Sequence, residues 1–196
     1  MQMKIKHKFK LGFFTVFLCA MIWLSSFDYF VALILSVTIH ECGHLVMARL
    51  CHIPIRQLKL GILGAALTPS ELLYSYKKEI LLCLGGPIFN FLSMLIFFPL
   101  CRTSHILGYF FMSSFALGTL NLLPIIGFDG GRVLSAILNM VLSPYASKKI
   151  MSIISFIFIF TLWCISVYLL LKISASLSMF IFSVSIFCKI FLPEEI

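Results

Sequence analysis

The stretch YFVALILSVTIHECGHLVMARL, residues 29–50, decides how the chain is read. It is long and apolar enough to cross a bilayer core, which needs roughly 17–25 such residues in a helix. Yet it carries three ionisable side chains, His40, Glu41 and His44, within five positions. Ionisable groups inside a membrane helix are costly and mark function. On a helix, residues four apart lie on one face, so His40 and His44 can both reach one metal ion. Glu41 stands beside them, placed to take a proton from a metal-activated water. Cys42 falls about 200° round the helix from His40 and so turns away from that face.

The rest of the composition agrees with a membrane setting. Hydrophobic residues make up 61% of the 196 and charged residues 11%, and mean hydropathy is +1.11. Soluble domains hold about 45–50% and about 25%. Five further apolar stretches accompany 29–50, at about 11–27, 79–100, 105–123, 149–171 and 175–192. The fold expected is an all-α, polytopic bundle of about six transmembrane helices forming one domain over 1–196. The interval 51–78 alternates only partly and contains Gly61 and Gly64, so it reads as a short β-hairpin or a re-entrant segment. The basic run Lys4, Lys6, Lys8 and Lys10 before the first stretch is not followed by a cleavage site, and that stretch reads as an uncleaved span.

The net charge of +8 does not form a nucleic-acid-binding stripe; the basic residues sit between apolar runs. With the N-terminus in the cytoplasm, thirteen fall on that side: Lys4, Lys6, Lys8, Lys10, Arg49, Arg56, Lys59, Lys77, Lys78, Arg132, Lys148, Lys149 and Lys189. Arg102 and Lys172 fall outside. Basic loops stay cytoplasmic, so both termini are expected there, on a multi-pass protein of the cell membrane. The seven cysteines form no C-x-x-C pair and read as small buried hydrophobes.

A catalytic zinc takes three protein ligands and keeps a fourth position open. The chain has two aspartates. Asp28 lies at the far end of the 29–50 stretch from the histidines. Asp129 lies in NLLPIIGFDGGR, residues 121–132, at the inner end of the fourth span. Spans two and four run in the same direction, so Asp129 shares a depth with His40 and His44. Pro124 and the glycines at 127, 130 and 131 permit irregular backbone there. Asp129 is therefore the expected third ligand, against the simpler alternative of a loop aspartate paired with Arg132. In GGPIFN, residues 85–90, the small residues allow close helix approach and Asn90 offers a polar group inside the third span, so the element reads equally as packing or as part of the catalytic site. His52 lies just past span two, where an interfacial histidine needs no metal, so ligation is the weaker reading for it; His7 and His105 flank spans and are expected to be solvated.

These elements together resemble the site-2 protease family of intramembrane metalloproteases. The family's H-E-x-x-H is matched by His40, Glu41 and His44. Its N-x-x-P followed by D-G is matched by Asn121, Pro124, Asp129 and Gly130, and its G-P-x-x-N by Gly86, Pro87 and Asn90. The resemblance runs from about residue 30 to 135. The six-span layout is most similar to the sporulation branch, stage IV sporulation protein FB, without that branch's C-terminal regulatory domain. The resemblance implies Zn2+ held by His40, His44 and Asp129, with Glu41 as general base. It also implies that Asn90 and Asn121 position substrate or stabilise a developing oxyanion. The expected partners are a membrane-inserted or membrane-adjacent protein substrate and a membrane regulatory partner. Two other classes compete with a protease: a metal-ion transporter, which would not need Glu41, and a catalytically silent relative, which would lose a ligand or Glu41.

Overall fold

A computed structural model describes residues 27–53, 55–61, 64–69, 75–100, 103–173, 184 and 187. The spans expected at 11–27 and 175–192 lie outside these residues, but for 27, 184 and 187. The described residues are helical apart from two short strands and the connecting turns. In order it forms α1 (Phe27–Leu50), β1 (Ile55–Gly61), β2 (Gly64–Pro69), α2 (Tyr76–Phe97) with a 3-10 turn at Phe98–Leu100, α3 (His105–Asn121), α4 (Asp129–Val141) and α5 (Pro144–Ile173). Among the described residues, three helices are long and apolar enough to cross a membrane: Phe27–Leu50, Tyr76–Leu100 and Pro144–Leu169. At 17 residues, α3 sits at the lower edge of the roughly 17–25 that a span requires.

The helices pair through small residues. Ser36 Oγ of α1 lies 2.8 Å from Ser114 Oγ of α3, and the Tyr29 and Tyr109 rings meet edge-on at 5.7 Å. Both contacts rise together along the two helices, so α1 and α3 run parallel. Gly43 of α1 faces Gly85 of α2; a Cβ on either would collide with the other's backbone, so only glycine allows this approach. α2 runs antiparallel to both α1 and α3 and also packs on α4, which in turn packs on α5. Small polar residues share the interior with apolar ones: Ser36, Ser93, Ser113, Ser114, Ser147, Ser155 and Ser166 are buried alongside Leu82, Phe110, Ile125 and Ile159. Leu95, Ile96, Met112, Phe115, Ile153, Ile157 and Tyr168 are exposed. So apolar an exterior suits a hydrocarbon solvent. The chain is a membrane protein.

The end of α1 is built by a backbone motif. The Ile53 N–H donates to the Ala48 carbonyl at 2.9 Å and the His52 N–H to the Arg49 carbonyl at 3.1 Å. His52 adopts φ 52°. This is the Schellman pattern, and its usual hydrophobic contact is present as Ile53 packs with Ala48 and Leu82. Beyond it, β1 and β2 pair antiparallel from Gln57–Thr68 to Gly61–Gly64, with an irregularity between Ile55 and Gln57.

The region after α3 differs from the sequence reading in one respect. Asp129 was expected on irregular backbone at the end of a span running to about residue 123. The span instead stops at Asn121, and Asp129 opens a separate helix, α4. The connection is a tight turn in which the Phe128 N–H donates to the Ile125 carbonyl at 3.0 Å. Gly127, its third residue, has φ +96°, the conformation that type II turns demand and glycine supplies. Ser155 of α5 anchors it by accepting the Ile126 N–H at 2.9 Å. Ile125, Phe128 and Ile159 close the turn over a buried cluster.

Candidate metal centre

His40 and His44 occupy successive turns of one face of α1 and point the same way. Their rings are 4.8 Å apart and nearly perpendicular. Asp129 reaches them from the first turn of α4. Its Oδ2 lies 3.1 Å from His40 Nε2 and 3.2 Å from His44 Nε2, and the two Nε2 atoms are 3.2 Å apart. The three residues keep 5%, 7% and 9% of their surface exposed, so little solvent can compensate whatever charge they hold.

That triangle has a clear physical demand. His44 Nδ1 lies 2.8 Å from the Leu82 carbonyl. A carbonyl only accepts, so Nδ1 carries the proton and Nε2 presents a lone pair. A lone pair, a second imidazole nitrogen and a carboxylate oxygen then converge inside a bundle. Such a set is stable only with protons or a cation among its members. The dimensions suit zinc. Ligand atoms about 2.0–2.1 Å from a tetrahedral zinc lie about 3.3 Å from one another. Edges of 3.1, 3.2 and 3.2 Å match one face of that tetrahedron and leave the fourth position free. Among the described residues, His40, His44 and Asp129 form the one such group of potential ligands.

The surroundings complete the site. Gly86 of α2 abuts the two rings: a Cβ there would come within 2.6 Å of His40 Nε2 and His44 Nε2. Asn90 is fully buried, with Nδ2 3.2 Å from His40 Nδ1. Glu41 is half-buried on α1 beside the cluster, whereas Cys42 is exposed. Asn121 is half-buried at the last residue of α3, and no hydrogen bond among the described residues joins it to the three ligands. Asp28 is in the first turn of α1, at the opposite end of the helix from the cluster. Arg132 faces Glu79 across the α4–α2 contact at 3.6 Å. The approach of Gly86 and the Leu82 carbonyl was missed from sequence alone, since a carbonyl has no residue type to read.

Comparison with known proteins agrees with this geometry. The model of peptidase family M50 matches residues 28–104 and 99–165, more than half of the chain. A zinc metalloprotease of Methanocaldococcus jannaschii is 28% identical over 128 residues, which are 62% of this chain and 37% of that protein. The chain thus spans well under half the length of this curated relative. The solved structure of a site-2 protease from the same organism superposes with a TM-score of 0.64 at 23% identity, covering 89% of this chain and 84% of that one. The likeness is one of fold. The matched segment contains every member of the cluster, and the chain belongs to peptidase family M50.

Proposed function

We propose that the protein is an intramembrane zinc metalloprotease that hydrolyses peptide bonds in or next to membrane segments of other proteins, in regulated intramembrane proteolysis. The observation that carries this reading is the buried triangle of His40, His44 and Asp129 with Glu41 one residue from a ligand. Two imidazoles and one carboxylate are a catalytic donor set, one position short of saturation. Bound there, zinc would supply Lewis acidity, acidifying a water and polarising the scissile carbonyl.

The protein's own residues do the rest. His40, His44 and Asp129 hold the ion, and the Leu82 carbonyl keeps His44 in its coordinating tautomer. Glu41 accepts the proton of the attacking water and returns it to the leaving amine. The substrate must be locally extended, because a helix conceals its carbonyls in internal hydrogen bonds. β1 and β2 are the candidate edge for holding it, by strand addition. The proposed topology has six spans with both termini cytoplasmic. The layout is similar to that of the sporulation branch, stage IV sporulation protein FB, and a membrane regulatory partner belongs to the same reading.

The test is a Glu41→Gln variant co-expressed with a candidate membrane substrate. Cleavage should fall by about 10²–10⁴-fold, the usual contribution of a general base. Zinc content should stay at the wild-type level, because Glu41 is not a ligand. Cleavage at a normal rate by this variant would remove Glu41 from the mechanism.

A further inference from the structure

α2 lies behind both imidazoles and gives the outward nitrogen of each a partner. For His44 that partner is the Leu82 carbonyl. His40 is built in the same way: Nε2 faces Asp129 at 3.1 Å, and Nδ1 faces the side-chain amide of Asn90 at 3.2 Å. For Nε2 to give its lone pair to a cation, Nδ1 must carry the ring proton and needs an acceptor. Asn90 is 0% exposed, and its Oδ1 has no hydrogen-bond partner among the described residues, while Nδ2 is turned towards His40. The two ends of an amide exchange by a half-turn about one bond, and the hydrogen-bond network decides between them. After that half-turn, Oδ1 accepts from His40 Nδ1–H.

We propose that Asn90 is a positioning residue for His40: its amide oxygen holds the imidazole as the Nδ1–H tautomer, with Nε2 aimed at the metal. The proposal deepens the zinc reading given above and rests on it. Asn90 meets His40 on the side away from Asp129 and is wholly buried, which separates this task from contact with substrate. One helix thereby orients both histidines, through a main-chain carbonyl for one and a side-chain carbonyl for the other.

The experiment measures zinc affinity of the purified full chain in detergent, by competition with a chromophoric chelator, for wild type, Asn90→Leu and Asn90→Asp. Leu removes the acceptor at similar size and should weaken zinc about 10–100-fold, the usual effect of losing such a partner. Asp is a pure acceptor and should bind zinc within about threefold of wild type or more tightly. With Co2+ in place of zinc, the visible spectrum of the Asp variant should match wild type. A merely space-filling Asn90 gives the opposite order, since Leu fits and a buried carboxylate is costly. Leu at wild-type affinity, or Asp weaker than Leu, overturns the proposal. If the Leu variant does not fold, Asp decides alone: affinity within about threefold supports the role, and a loss beyond about tenfold overturns it. A wild type that takes up no zinc overturns the zinc reading and this one together, whereas equal binding by wild type and Leu overturns only the role of Asn90.

Discussion

Gly86 sets how closely α2 can approach the two histidines. A Cβ at this position would stand 2.6 Å from His40 Cε1, His40 Nε2 and His44 Nε2, closer than any real contact. These atoms are ring atoms of buried side chains, tied to Asp129, Leu82 and Asn90, so they have no flexible end to swing aside. Gly86→Ala should therefore displace the imidazoles, and zinc affinity should drop by at least about tenfold, the scale seen when ligand orientation is disturbed. Chelator competition on the purified variant measures this, with circular dichroism showing helical content unchanged. Wild-type affinity would mean that α2 can shift away from α1. Gly43 opposite Gly85, the residue next to Gly86, argues against that freedom.

Among the elements, the end of α1 makes an independent test. His52 holds the left-handed position of the Schellman motif, where glycine is the usual occupant. A side chain there costs roughly 1–2 kcal/mol. His52→Gly should thus stabilise the folded protein by about 1 kcal/mol, read as a rise in thermal midpoint in detergent, with zinc content unchanged. A fall in zinc content would make His52 part of the metal site. His40, Glu41 and His44 were legible because a spacing of four on a helix has one geometric meaning. Asp129 was legible as the aspartate at the right depth. The helix that begins at Asp129 was not, because the signal of Pro124 and three nearby glycines reads as continued loop, and the Ser155 anchor comes from a distant helix. The Gly43–Gly85 contact was likewise hidden, since small residues reveal closeness only once the partner helix is known.

The described residues form a bundle with an apolar outside and the His40, His44 and Asp129 cluster inside. The thirteen-to-two division of basic residues predicts both termini on the cytoplasmic side. Reporter fusions after Lys10 and after Ile196 should both report cytoplasm, and a fusion near Arg102 the opposite side. An outward C-terminus would contradict six spans. Elemental analysis of purified protein tests whether His40, His44 and Asp129 form a zinc site. Wild type and Asp28→Asn should each carry about one zinc per chain, as a single three-ligand site requires. Asp129→Asn replaces an anionic ligand with a weaker neutral one and should lose most of it. Wild type without zinc after gentle purification and reconstitution, or Asp129→Asn with a full complement, would show that these three residues do not form that site.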